Sequence, residues 1–118
     1  MAKVFDLASS VYKEIQDTPG SAITGGDFLA VNDLNTFALV DVASGSLGCF
    51  IYQADKVKVE VAAVTIASGE KAYWDSGAAK VTNVSTSNTL IGHFLEDAAS
   101  SATHSYIEFD GTIEGQET

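Results

Sequence analysis

Lys56-Val57-Lys58-Val59-Glu60-Val61 alternates charge and valine over six residues. Successive side chains of a β-strand point to opposite faces, so Val57, Val59 and Val61 share one face and Lys56, Lys58 and Glu60 the other. The sheet that holds this strand therefore has one face buried and one wet. Outward from it, residues 27–110 keep the same habit: short runs with period two, broken by Gly, Ser, Asn and Asp about every ten residues. Strands are expected at 37–40, 47–52, 56–61, 71–74, 79–82, 89–95 and 105–109. The connection Asp41-Val42-Ala43-Ser44-Gly45-Ser46 is turn-prone, with Gly45 free to take a positive φ. Nothing helical is expected between residues 27 and 110 beyond one turn over 96–101. This is the pattern of an all-β fold, a small β-sandwich or barrel.

Two segments flank this domain, giving a division into an N-terminal arm (1–24), a β domain (25–111) and an acidic tail (112–118). In the arm, Val4, Phe5, Leu7, Val11, Tyr12 and Ile15 have a spacing that suits a short helix, cut off by Pro19-Gly20 and Gly25-Gly26. The tail is polar and is expected to be loose.

The 118 residues suffice for one compact domain, and the hydrophobic fraction of 46% against 19% charged residues is that of a folded chain. Much of the apolar content is Ala and Val, which predicts a thin core of small and β-branched side chains. Sixteen Asp and Glu stand against six basic residues, all lysine, for a net charge of −10. Without arginine or a basic stripe the chain has no means of displacing counterions or reading bases, so nucleic acid is excluded as a partner. An anionic membrane surface is excluded by the same charge. The start Met1-Ala2-Lys3-Val4-Phe5-Asp6-Leu7 contains neither a long apolar segment nor a cleavage site, and synthesis in a cytoplasm is expected. The single Cys49, inside Cys49-Phe50-Ile51-Tyr52, is read as a small buried hydrophobe.

Chemistry finds little support. His93 and His104 lie in strand-like runs and no serine sits on a Gly-x-Ser-x-Gly elbow, so they read as strand residues rather than general bases. No His-x-His or Cys-x-x-Cys pair is present, and Asp27 and Asp33 lack the spacing of a calcium loop, so no metal is expected. Gly25-Gly26 is followed by Asp27, which would repel a phosphate. Asn83-Val84-Ser85 fits a glycosylation sequon and reads as an ordinary turn or strand edge. No cofactor and no catalysis are expected, and the chain reads as a binding or structural protein.

One stretch is more specific. Ile66-Ala67-Ser68-Gly69-Glu70-Lys71-Ala72-Tyr73-Trp74-Asp75, then Ala78-Ala79-Lys80-Val81-Thr82-Asn83, then Ser87-Asn88-Thr89-Leu90-Ile91-Gly92, resembles the capsid decoration (cement) proteins of tailed bacteriophages, the family also known as DUF2190. An alanine-rich turn over 96–103 and the closing Tyr106-Ile107-Glu108-Phe109 follow in the family's order. The resemblance spans residues 25–111 and implies a β-tulip-like fold with an extended N-terminal arm. It also implies a virion protein on the outer surface of the head, a homotrimer or a dimer, that binds the major capsid protein and stabilises its lattice. On that reading Val4, Phe5, Leu7, Val11 and Tyr12 of the arm contact the capsid, or else pack on their own core or a sister subunit. Tyr73, Trp74, Val57, Val59 and Val61 form the core or a subunit interface. Alternation sends Tyr73 and Trp74 to opposite faces. The competing reading is a glycan-binding β-module on a phage or bacterial surface.

Overall fold

The fold is that of a computed structural model, which describes residues 4–112 and 116–117. Among these residues the chain is all β, with ten strands and no helix: β1 (Phe5–Leu7), β2 (Tyr12–Asp17), β3 (Phe28–Val31), β4 (Leu34–Ala38), β5 (Gly48–Glu60), β6 (Lys71–Asp75), β7 (Lys80–Thr82), β8 (Asn88–Phe94), β9 (His104–Asp110) and β10 (Gln116–Glu117). All belong to one sheet in the order β3-β4-β5-β9-β8-β6-β7, with β1 and β2 paired to β5 and β10 to β8. Every pairing between these strands is antiparallel. The sheet curls into a half-barrel, because Val61 at the end of β5 bridges Val81 of β7 and so draws the far edge back.

The 13-residue β5 organises the molecule. The strands expected at 47–52 and 56–61 are one strand, since Gln53-Ala54-Asp55 offers neither Gly nor Pro to break it. Val57, Val59 and Val61 are 0%, 0% and 3% exposed, whereas Lys58 points to solvent. A strand this long has room on one side for two partners. Phe5–Leu7 pairs with its second half, Phe5 opposite Val59, and Tyr12–Asp17 with its first half, Tyr12 opposite Ala54. The arm therefore forms strands rather than a short helix: long-range pairing outweighs the weak local periodicity, and Phe5, Tyr12 and Ile15 are residue types that suit a pleated surface. Gln116 and Glu117 pair with Thr89 and Asn88, so this part of the tail is also held, while residues 113–115 and 118 lie outside the described residues. The segment 96–101 forms no helical turn; Ala98 bridges Ile66 instead.

Packing uses both faces of the sheet. Inside the curl lie Phe5, Phe37, Ile51, Val57, Val59, Ile91, Phe94, Ile107 and Phe109, among others. A second cluster of Val31, Ala38, Val42 and Phe50 gathers on the other face, covered by Ile15, Ile23 and Leu29. The core is less thin than the composition suggests, because five phenylalanines (5, 37, 50, 94 and 109) are at most 1% exposed. Phe5 stands at the centre of an aromatic group, with ring centroids 5.4 Å from Phe37, 5.4 Å from Trp74 and 5.8 Å from Phe109.

Candidate functional site: two grooves at the ends of strand β2

The first groove follows from a β-bulge. Ala54 faces Phe109 and Val57 faces Ile107, so Asp55 and Lys56 together oppose the single residue Glu108. The extra residue bends β5 and breaks the ladder. Over this bend the chain crosses from β1 to β2: Ala8 N–H donates to the Lys56 carbonyl (3.0 Å) and Asp55 N–H to the Val11 carbonyl (3.1 Å). The Ser9 hydroxyl oxygen accepts the Val11 N–H at 2.9 Å and tightens the crossing. The result is a hollow of about 330 Å³ with Ala54 and Phe109 in its lining and Val11, Tyr12, Asp55, Glu108 and Asp110 around them. Val11 is 60% and Tyr12 39% exposed, so two adjacent large apolar side chains face solvent here.

The second groove, of about 370 Å³, lies beside the β4–β5 connection and is lined by Val40, Val42, Leu47, Gly48 and Cys49. Val40 and Leu47 are 64% and 65% exposed. Gly45 takes φ +80° here, as the turn-prone sequence requires. The groove's one carboxylate, Asp41, has an oxygen engaged by the Gly25 N–H at 2.8 Å. Tyr12 pairs opposite Ala54 and Asp17 opposite Gly48, so the two grooves lie at opposite ends of β2, about 17 Å apart by strand rise.

Cys49 is exposed, contrary to its apolar sequence surroundings. It stands one residue before the paired buried positions Phe50 and Ile51, where the two core clusters begin, and faces Gln16 of the edge strand β2. Its thiol titrates above the ordinary value, chiefly because the Glu14 side chain accepts its hydrogen bond, with desolvation and the Glu14 charge adding to the effect. A thiol held in its protonated form is a poor nucleophile. Alkylation of Cys49 by iodoacetamide at pH 8 is therefore expected to be slower than that of a free cysteine, and several-fold faster in Glu14→Gln; equal rates in the two proteins, followed by mass spectrometry, would show that Glu14 does not govern the thiol.

The remaining candidates take structural places. Tyr73 is 4% exposed and Trp74 stacks on Phe28 at 4.9 Å. Of the arm residues, Phe5 is fully buried, Val4 and Leu7 are half-buried and pack against the same cluster, and Val11 and Tyr12 are exposed. His93 is exposed between Lys71 and Glu108 in register, and His104 has its Nδ1 2.9 Å from the Thr103 hydroxyl. Asp27 accepts the Thr24 N–H at 3.1 Å, and the Asn83 amide donates to the Thr65 carbonyl and to Glu70. Glu70 also accepts the Ala67 N–H, which is the main reason its carboxyl titrates below the usual range. No group of three His, Cys, Asp or Glu is placed to hold a metal ion among the described residues. The residues that the sequence did not disclose are Val40, Leu47, Asp55, Glu108 and Asp110. Val40 and Leu47 had a visible signal, two large apolar residues flanking a turn, and Glu108 and Asp110 share a face of β9 by alternation, whereas Asp55 meets them only because of the bulge.

Four of the six large apolar side chains exposed among the described residues, Val11, Tyr12, Val40 and Leu47, line these two grooves; Val84 and Leu95 lie elsewhere. Residues 11–109 match the phage cement protein family, which places the chain in that family and gives it a role associated with the bacteriophage capsid. No curated protein matches the chain.

Proposed function

We propose that the protein is a non-enzymatic decoration protein of the phage head, which binds the outer surface of the capsid as an oligomer and stabilises the lattice of the major capsid protein. The observation that carries this reading is the family match over residues 11–109, joined to two separate grooves that each present exposed apolar side chains. A cement must hold at least two things at once, and two grooves permit it. Val11 and Tyr12 serve the capsid contact. Val4, Phe5 and Leu7 serve it indirectly, by holding β1 on β5 so that the crossing at residues 8–11 is fixed in place.

The groove at Val40 and Leu47 suits contact between copies. Each chain carries a charge of −10, so copies repel wherever carboxylates face one another. This groove has no lysine and one carboxylate, already engaged, so apolar surface can be buried there at little electrostatic cost. A homotrimer assembled in this way multiplies modest contacts, each on the order of 800 Å² per partner, through effective concentration.

Light scattering is expected to give the mass of three chains, and the protein is expected to saturate empty mature heads at a fixed ratio. Val40→Ser with Leu47→Ser is expected to lower the mass to one chain and to weaken head binding at least about tenfold through lost multivalency. A monomer that ignores heads would overturn the decoration reading, and its binding to a glycan array would establish the glycan-module reading instead.

A further inference from the structure

We infer that the groove at the β5 bulge receives an extended segment of the capsid partner that carries lysine or arginine next to apolar residues. This rests on the decoration reading and adds the chemistry of the partner's segment to it. Ala54 and Phe109 line the groove but are only 5% and 0% exposed, so its apolar surface is that of Val11 and Tyr12, which stand exposed at its wall. Around that apolar surface are the carboxylates of Asp55, Glu108 and Asp110 against the single ammonium of Lys13. Alternation along β9 puts Glu108 and Asp110 on its outer face, while Ile107 and Phe109 point inward.

The groove has no internal neutraliser beyond Lys13. Lys56, which shares the bulge, is directed away from it: its ammonium sits 4.7 Å from the centre of the Tyr106 ring and 3.9 Å from Glu96. Asp110 spends one oxygen on the Thr112 N–H and hydroxyl and on the Gln53 amide. No hydrogen bond or ion pair engages the Asp55 or Glu108 carboxylate among the described residues, so both remain available to a cation.

The charge balance also decides against a second copy as occupant. The whole chain has six lysines and no arginine against sixteen acids, so a copy would bring net negative charge to a negative groove. A partner segment with a cationic side chain and an apolar neighbour matches both features. The cation would meet Asp55 and Glu108, and the apolar neighbour would cover Val11 and Tyr12. Such pairing sets orientation and association rate as well as affinity.

The test compares wild-type protein with Asp55→Lys/Glu108→Lys in binding to empty heads, with Asp33→Lys, on the exposed β3–β4 connection, as a charge control remote in sequence from the groove. Both substituted sites of the double variant are exposed, and its mass and melting temperature are measured to show that fold and assembly are unchanged. The expected result is at least tenfold weaker binding by the double variant, little change for Asp33→Lys, and wild-type affinity that falls between 50 and 300 mM NaCl while that of the double variant does not. Unchanged affinity of the double variant overturns the inference while wild-type binding leaves the decoration reading intact. A loss that Asp33→Lys reproduces also overturns it, since the effect would then be one of total charge. Failure of the wild-type protein to bind heads removes the decoration reading and the inference with it.

Discussion

An alanine at position 92 is expected to cost about 4 kcal/mol or more, at the extreme of single-substitution effects. Gly92 pairs with Ala72 on one side and Phe109 on the other, and a bulge between β6 and β8 leaves Ile91 without an opposite residue just before it. On its other side the β8 backbone runs close against β9. A Cβ at position 92 would lie 1.8 Å from the Glu108 carbonyl oxygen and 3.0 Å from its carbon, and φ is +157°. The obstructing atoms are backbone, so no rotamer change relieves the contact. β8 and β9 would have to separate, at the centre of the half-barrel. Urea denaturation followed by circular dichroism measures the effect. Gly77→Ala is the control, since its added Cβ would meet only an Asp75 side-chain oxygen at 3.4 Å, and it is expected to fall within about 0.5 kcal/mol of wild type. A Gly92→Ala protein within about 1 kcal/mol of wild type would show that the two strands can part at little cost.

Gly92 also explains what the sequence resemblance consists of. The stretches that carry it hold the fold. Asn88 is 7% exposed and its amide donates to the Val84 carbonyl; Ile91 is core; Gly92 allows close approach. Asp75 accepts the N–H groups of Gly77 and Ala78 and shapes the turn into β7, Trp74 packs on Phe28, and Glu70 ties its own turn to Asn83. Such residues are legible because backbone geometry admits few substitutes at each place. The alternating valines were legible for the same reason: period two follows from the pleat whatever the neighbours are. The grooves were not. Asp55 and Glu108 are 53 positions apart in sequence and are brought together by a two-against-one register that no local pattern announces. Cys49 was misread because an apolar run says nothing of where the sheet's cover ends. The arm was misread because its pairing partners lie 31 to 54 residues away, from Asp17 opposite Gly48 to Phe5 opposite Val59.

Phe5→Ala is expected to cost about 3–5 kcal/mol, the range for a fully buried aromatic ring replaced by alanine. The loss falls at one point in the fold. Phe5 is 0% exposed and touches Phe28, Phe37, Trp74 and Phe109, so its removal leaves a cavity walled by four aromatic rings on three different parts of the sheet. β1 has only three residues and makes its ladder with β5 alone, so Phe5 is its main anchor. Once β1 loosens, the crossing at residues 8–11 loses one of its ends, and the wall of the acidic groove goes with it. Tyr12→Ala should behave in the opposite way. Its ring is 39% exposed, so stability should change by less than about 1 kcal/mol, while head binding weakens. Denaturation midpoints and head affinities of the two variants, measured together, separate a residue that builds the surface from one that is the surface. If Phe5→Ala kept the wild-type midpoint and lost head binding, the first strand would be a capsid-binding arm in its own right, and its place in the core would be secondary.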